Sequence, residues 1–543
     1  MSHLINDRTT LVTEAIDGLL RAPAPGVALG RLDGFPEVKV VHRTDHDASK
    51  VALVSGGGSG HEPAHAGFVG PGMLTAAVCG EVFASPSVEA VLAGILAVTK
   101  EDGAGCLLIV KNYTGDRLNF GLAAERARTM GRRVEMVVVG DDIALPDIAQ
   151  PRGIAGTLFV HKIAGAMAEG GASLDEVATV AREVAQVARS MGVALSVGHV
   201  PGSPREDRVG EGQAELGLGI HGEPGVEMVA NNGAAALVRT LMDRLFDGAT
   251  DGPQVALIND LGALTPLEAS VVAGEVLARG GDRIFRIVGP ARLMTSLDMR
   301  GVSISLLPAR HEWVEALSET VPMPAWPGVS EPVEPTLTPL PDGLAAPRFE
   351  PSENAQVRAR IERALDAAAS MEADLNRLDA KAGDGDTGST VAGAARAVRA
   401  DLDRLPLADQ SELFHALGDR LSRAMGGSSG VLLAILFTAA ASAAEDGADT
   451  AESLRAGLDR VMAYGGAKLG DRTMIDALHP ALEALPQGLD HAARAAREGA
   501  DGTANMRSAR SGRAAYLQGT DLTGTPDPGA EAVARLFEAL AHG

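Results

Sequence analysis

Nine prolines, Pro322, Pro324, Pro327, Pro332, Pro335, Pro339, Pro341, Pro347 and Pro351, crowd into one short stretch of the chain. Proline has no backbone N–H and favours extended polyproline geometry, so a segment this dense in it is expected to run as a linker over 322–352. It divides the chain into two parts with different hydrophobic periods. Before it, short β-branched runs alternate with helical stretches; after it, only a 3.6-residue period is visible, as in VRARIERALDAAASMEADLNRL.

In the first part the spacing predicts strands over Val38–Val41, Val51–Val54, Leu107–Val110 and Val134–Val139. Helices are predicted over Leu4–Leu20, Ser87–Val98, Leu122–Met130 and Ser173–Met191. A further series follows from Val193: ALSVGHV, then Glu215–Ile220, Val255–Ile258 and Ile284–Val288. Continuous apolar strands alternating with helices imply sheets covered on both faces. The expectation is an α/β region in two parts, about 1–190 and 191–321, with mainly parallel sheets, followed by an all-α region over 353–543. No repeat of fixed period is present.

At 543 residues the chain exceeds a single core. A net charge of −23 argues against nucleic-acid partners and against an anionic membrane surface. The most apolar run, Val431–Ala444, is shorter than the roughly 20 residues a membrane span needs, and MSHLINDRTT has no signal-peptide pattern. Cys79 and Cys106, the only cysteines, both lie in apolar surroundings, which fits a reducing cytoplasm.

Four motifs carry chemistry. SGGGSGHEPAH, Ser55–His65, places a glycine run at the carboxyl end of a predicted strand, where α/β folds bind ligands. It is neither a Walker loop nor a clean dinucleotide fingerprint. His61 within it is suited to acid–base work near neutral pH, or else caps the next helix. KNYTGD, Lys111–Asp116, ends a second strand: Lys111 can bind hydroxyl or phosphate oxygens, and Asp116 is a base or a helix cap. In GLGIHGEPG, Gly217–Gly225, His221 is a ligand, a nucleophile or a turn residue, and the residues alone do not separate these. DAKAGDGDTGST, Asp379–Thr390, sets Asp379, Asp384 and Asp386 among glycines. That register does not fit an EF-hand, and it suits either Mg²⁺ with a nucleotide or a solvated acidic turn.

Taken together and in this order, these motifs resemble the signature set of the single-chain, ATP-dependent dihydroxyacetone kinases, and the resemblance covers nearly the whole chain. That family joins a ketose-holding K domain, here 1–321, to a nucleotide-holding L domain, here 353–543. The resemblance implies phosphorylation of dihydroxyacetone or a similar short ketose by ATP. His221 would add to the ketone and hold it as a hemiaminal. Asp116 would be the favoured base with His61 its acid–base partner at the terminal hydroxyl, and Gly58, Ser59, Gly60 and Lys111 would line the pocket. A carbonyl can add a histidine nitrogen and an alcohol carbon cannot, so such capture selects ketoses or aldoses over glycerol.

The same resemblance makes Asp379, Asp384 and Asp386 the Mg²⁺ ligands. Thr387, Gly388, Ser389 and Thr390, with Ser428 and Ser429 of MGGSSG, would meet the phosphates. Gly465 and Met474 would lie on the adenine side, Arg513 near the phosphates, and Asp527, Pro528 and Gly529 at the rim. Arg513 stands in SARSGRAAYL, whereas related sequences more often read ARAGRSSYL. D- or L-erythrulose and glyceraldehyde are rival substrates. Cyclisation of flavin dinucleotide is a rival chemistry that would not need His221, and a regulatory protein is the non-enzymatic rival. A homodimer is the expected assembly.

Overall fold

The computed structural model describes residues 4–542 apart from 147, 149, 205–207, 343–346, 382, 384, 426, 512–514 and 516–521. It divides into two compact units, Met1–Thr336 and Leu337–Gly543.

The first unit contains two sheets. One is formed by β1 (Leu29–Arg31), β2 (Val40–Arg43), β3 (Ala52–Ser59), β4 (Ala76–Val82), β5 (Cys106–Lys111) and β6 (Val134–Val139), in the order β1-β2-β4-β3-β5-β6. The other is formed by β7 (Arg189–Ala194), β8 (Gln213–Leu216), β9 (Glu227–Ala230), β10 (Gln254–Asp260), β11 (Ile284–Ala291), β12 (Gly301–Pro308) and β13 (Val329–Ser330), ordered β13-β11-β10-β12-β7-β8-β9. The described helices of this unit are α1 (Leu11–Arg21), α2 (Val88–Val98), α3 (Thr114–Thr129), α4 (Thr157–Glu169), α5 (Leu174–Val187), α6 (Ala234–Phe246), α7 (Pro266–Gly280) and α8 (His311–Ser318).

Strand alternation sorts the core into layers. Val54, Leu108 and Val110 face Val91, Ile95 and Phe120 of α2 and α3. Leu53, Leu107 and Ile109 face the opposite way, into a core shared with Phe159 and Ile163 of α4, Val177 of α5 and Val255 and Leu257 of the second sheet. Ala256 and Ile258 point to the far side, against α6 and α7. Helices α4 and α5 are thus enclosed between the sheets.

The structure differs from the sequence reading in four places. The second sheet is not mainly parallel: β10 and β11 are its parallel pair, and its other pairings are antiparallel. The helix expected to reach Met191 stops at Val187, because Arg189–Ala194 is claimed as a strand by β12, with the Ser190 and Ser305 hydroxyls 2.6 Å apart across the pair. Inside the proline-rich stretch, Met323 and Trp326 are buried and Val329–Ser330 pairs with Ile287 and Val288 at the sheet edge, where a neighbouring proline breaks no central ladder. The N-terminal helix begins at Leu11 rather than Leu4.

The second unit is helical, with no strand among its described residues. Its helices are α9 (Ala355–Ser370), α10 (Glu372–Asp379), α11 (Thr387–Ala400), α12 (Gln410–Ala424), α13 (Gly427–Glu445), α14 (Thr450–Gly465), α15 (Ile475–Ala484), α16 (Leu489–Thr503) and α17 (Pro528–Ala541). From α11 to α17 each packs on the next, and α17 and α11 both pack on α9, closing a ring. The ring encloses an apolar cavity of about 950 Å³, walled by residues such as Val391, Leu417, Phe437, Leu454 and Leu536. Among the described residues of the whole chain, no helix is long and apolar enough to cross a membrane.

Candidate active site

Strand β3 continues through the glycines that the sequence suggested were a loop, and their lack of side chains is what allows it. A Cβ on Gly56 would come within 2.2 Å of the Val78 carbonyl oxygen, and one on Gly58 within 2.7 Å of the Ala84 nitrogen. Gly57, at φ 151°, leaves an opening instead: a Cβ there would sit 3.4 Å from Asp116 Oδ2 and 3.5 Å from Lys111 Nζ. The end of β5 and the first turn of α3 therefore deliver Lys111 and Asp116 to one spot beside Gly57.

Both groups are buried, Lys111 at 0% and Asp116 at 3% exposure, and neither Lys111 Nζ nor Asp116 Oδ1 has a hydrogen-bond partner. Burial pulls the proton affinity of Lys111 down, and Asp116 is the first group to oppose it. Asp116 does not cap α3, whose N-cap, Tyr113, makes no side-chain capping bond. Ser59 donates to the Gly80 carbonyl at 2.8 Å, and the Gly60 N–H donates to the Glu62 carboxylate. These bonds hold the strand end that presents His61.

His61 and His221, 160 residues apart, meet Nε2 to Nε2 at 3.1 Å. His61 Nδ1 donates to the Thr295 carbonyl at 2.7 Å, and His221 Nδ1 lies 2.9 Å from Glu223 Oε1. A carbonyl oxygen and a carboxylate only accept, so both ends of this chain require an N–H from the ring beside them. The central contact then needs a third proton. The His61–His221 pair in this geometry carries one proton more than two neutral imidazoles, balanced by Glu223. Burial pushes Glu223 up, but the hydrogen bond and charge of His221 outweigh it and hold Glu223 at about 2. Burial, then the charges of Lys111 and His221, lowers His61 well below the usual histidine range. The geometry puts that proton between the two Nε2 atoms, with the Glu223 carboxylate at the His221 end of the chain to balance it.

Aromatic rings close the site. Phe83 stacks on His61 with centroids 5.2 Å apart, and Tyr113 meets the His221 ring edge-on at 4.6 Å. Lys111 Nζ lies 5.7 Å from the centre of the Tyr113 ring, tying the ammonium to the histidine pair. Phe83 and Leu297 both have positive φ, 57° and 55°, and both would collide with or touch a side chain on Gly60. Non-glycine residues held there are strained, and such strain gathers at functional sites. Glu223, Tyr113, Phe83 and Thr295 were not singled out from sequence. Only Glu223 carries a local signal, as the carboxylate two residues beyond His221.

In the second unit, Asp379 Oδ2 accepts the backbone N–H groups of Gly385, Asp386 and Thr387 at 3.0–3.2 Å. This folds the aspartate-rich turn onto the end of α10 and aims it at the start of α11. Asp386 is the N-cap residue of α11 but makes no side-chain capping bond, so its exposed carboxylate remains available. Two anionic oxygen donors beside a helix N-terminus suit a hard cation carrying phosphates. Asp384 lies outside the described residues, as does Arg513. Ser428 and Ser429 fall in the first turn of α13, and only their backbone is described.

Thr387, Met474 and Gly529 line the same ring cavity, and a Cβ on Gly529 would sit 3.2 Å from Met474 Cβ. The starts of α11, α15 and α17 thus converge. Gly465, at the end of α14, faces Leu432 of α13. Gly388 passes so close to α10 that a Cβ would meet the Glu372 carbonyl at 2.0 Å, and Ser389 is tied by its N–H and hydroxyl to Asn376. Thr390 donates its N–H to the Asp386 carbonyl within the first turn. Asp527 caps α17 through the Ala530 N–H, Pro528 is the first residue of that helix, and burial raises the Asp527 carboxyl to about 6.

The chain matches the Dak1 domain over residues 30–325 and the DAK2 domain over 381–542. It is 48% identical to dihydroxyacetone kinase of Citrobacter freundii across 99% of this chain and 98% of that protein. Identity is 39% to human triokinase/FMN cyclase, over 99% and 98%, and 38% to L-erythrulose 1-kinase of Mycolicibacterium smegmatis, over 99% of each. The crystal structure of the C. freundii kinase in complex with AMP-PNP and Mg²⁺ superposes with a TM-score of 0.82 at 47% identity, covering 100% of this chain and 99% of that one. This chain belongs to the single-chain dihydroxyacetone kinase family, with a Dak1 part followed by a DAK2 part, and is a kinase.

Proposed function

We propose that the protein phosphorylates dihydroxyacetone, or a similar short ketose, at a terminal hydroxyl with ATP, the ketose being held covalently on His221. The observation that carries this reading is the His61–His221–Glu223 chain of contacts beside the buried, unpaired Lys111 and Asp116. In the capture step the shared proton moves to His61, freeing His221 Nε2. That nitrogen bonds to the carbonyl carbon, the C=O double bond becomes single, and its oxygen takes the proton from His61. His221 ends as a substituted imidazolium whose Nδ1–H stays on Glu223, so charge is conserved. In this reading His61 serves the carbonyl end of the ketose rather than the terminal hydroxyl to which the resemblance assigned it, and Asp116 alone is left for that hydroxyl.

Asp116 then takes the hydroxyl proton as that oxygen bonds to the γ-phosphorus and the bond to the β–γ bridging oxygen breaks, releasing ADP. Lys111 offsets the negative charge. Covalent capture fixes the nucleophile and removes part of the entropic barrier. In the helical unit, Asp379, Asp384 and Asp386 are the residues that would hold Mg²⁺, which supplies charge neutralisation on the phosphates. Thr387 to Thr390, Ser428, Ser429 and Arg513 would serve the phosphates, with Gly465, Met474 and Asp527 to Gly529 around the base.

The M. smegmatis relative supports L-erythrulose as the alternative ketose, and the human relative, a triokinase/FMN cyclase, supports cyclisation of a flavin nucleotide as a second activity. ATP turnover with dihydroxyacetone, D- and L-erythrulose, glyceraldehyde and glycerol, run beside His221→Ala, tests the kinase reading and its substrate, and release of cyclic flavin phosphate from flavin dinucleotide tests the second activity. Ketose-dependent turnover lost in the variant supports capture, and the kcat/KM ranking names the substrate. Turnover that survives His221→Ala would sink it.

A further inference from the structure

The loop between β6 and α4 carries an arginine, Arg152, that the capture chemistry leaves unused. The loop is pinned on both sides of it. Asn112, between Lys111 and Tyr113, donates to the Pro151 carbonyl at 2.8 Å, and the Asp142 N–H donates to the Arg152 carbonyl at 3.0 Å. The Arg152 side chain is 11% exposed and that of Asp142 4%. Arg152 Nε donates to Asp142 Oδ2 at 2.8 Å, Nη2 lies 2.7 Å from the same oxygen, and Nη2 also donates to the Gly217 carbonyl at 2.7 Å. Asp142 is itself fixed, its Oδ1 accepting the Ala144 N–H at 2.9 Å. Gly217 opens the loop that carries His221 and Glu223, so this fork ties the end of β6 to the capture loop.

The remaining nitrogen, Nη1, reaches the carboxylate that orients the capture histidine. A Cβ on Gly219 would sit 2.7 Å from Arg152 Nη1 and 2.0 Å from Glu223 Oε2. Guanidinium and carboxylate thus flank one point, and the lack of a side chain on Gly219 is what leaves them room. Glu223 Oε2 accepts the His221 backbone N–H at 3.0 Å, and Oε1 lies 2.9 Å from His221 Nδ1. Asp142, Arg152, Glu223 and the protonated His61–His221 pair therefore follow one another with alternating sign.

Removing the arginine would leave two carboxylates without the cation they share, and like charges raise proton affinity. Burial already pushes the Asp142 carboxyl up, Arg152 opposes that, and Glu223 adds to the push. A Glu223 that draws a proton loses its grip on the ring tautomer that capture needs. We infer that Arg152 is a positioning residue for the capture step: its fork fixes the loop through Gly217, and its third nitrogen flanks the carboxylate that orients His221. This rests on the ketose reading of the site.

Two variants of the full chain test the proposal, each checked first for cooperative melting. Arg152→Gln removes the charge and the fork. Intact-mass spectrometry with dihydroxyacetone or L-erythrulose is expected to show less adduct than in the wild type. The ketose KM should rise roughly tenfold, about 1.4 kcal/mol, with the KM for ATP unchanged, and added guanidinium chloride at low millimolar concentration should restore both adduct and KM. Gly219→Ala leaves every charge in place and sets a methyl at the shared point, so the same loss is expected, and guanidinium should not repair it. A folded Arg152→Gln enzyme with wild-type adduct yield and ketose KM overturns the proposal. So does a Gly219→Ala enzyme with both, which decides the question if Arg152→Gln does not fold. A loss in Arg152→Gln that guanidinium leaves untouched, or that raises the KM for ATP in step, shows a general structural role and overturns it as well. Absence of adduct and ketose turnover in the wild type instead overturns the ketose reading beneath it.

Discussion

Glu223 holds His221 twice: Oε1 lies 2.9 Å from the ring Nδ1 while Oε2 accepts the backbone N–H of the same residue at 3.0 Å. One carboxylate thus fixes the ring orientation, the tautomer and the loop that carries them, as an orienting acid does in a catalytic triad. Glu223→Gln keeps the shape but loses the charge that balances the shared proton. Ketose kcat/KM is expected to fall at least about 100-fold. The KM for ATP should stay put, and intact-mass spectrometry should show less ketose adduct. An unchanged adduct yield would contradict the role given to Glu223.

The same carboxylate has a pH signature. Its folded pKa, about 2, lies below the ordinary glutamate value of 4.5, so it contributes stability that is fully present above 4.5 and lost as pH falls towards 2. Denaturation midpoints measured through that window should fall less steeply in Glu223→Gln than in the wild type. Parallel curves would show that the carboxylate is not held down.

Asp527 has the opposite sign. Burial raises it from 3.8 to about 6, so the native state binds the proton more tightly and stability is lost as pH rises through 3.8 to 6. Asp527→Asn keeps a good N-cap and carries no charge. At neutral pH it is expected to gain up to about 3 kcal/mol relative to wild type, with no gain at pH 4. Urea unfolding at the two pH values measures this.

Gly56 and Gly57 should fail differently. Gly56→Ala drives a methyl into the Val78 carbonyl and breaks the β3–β4 ladder, so loss of soluble, cooperatively melting protein is expected. Gly57→Ala meets Asp116 and Lys111 at ordinary contact distance and costs about 1–3 kcal/mol in backbone strain. It should fold and show a raised ketose KM, the methyl occupying the space beside both groups.

Asp116→Asn separates capture from transfer. The ketose adduct on His221 should still form, while kcat falls about 10²- to 10⁴-fold with removal of the base. Loss of the adduct as well would move Asp116 into the capture step.

The motifs were legible because each is local: a histidine, its glycines and the strand end that carries them lie within a dozen residues. What joins them was not. The contact between His61 and His221 spans 160 residues, and nothing in either motif states that the two rings touch. Glycine also hides its own secondary structure. With no side chains to alternate, Gly56–Gly58 gave β3 no visible period, and the strand was read as ending at Val54. Arg189–Met191 continued a helical pattern until pairing with distant β12 overrode it. The antiparallel second sheet is likewise a property of long-range register, which apolar runs do not encode. The α/β-then-helical division was visible because it rests on period and proline content, both local quantities.

The short pairing of Val329–Ser330 with Ile287 and Val288 bears on how the protein can be cut. A fragment ending at 321 would discard Trp326 and leave β11 as an open flank, its amides and carbonyls offered to any passing chain, the usual route to self-association. A fragment ending at 336 retains that strand as a selvedge. The residues between 321 and 336 therefore finish the edge of the second sheet rather than merely lead out of the first unit.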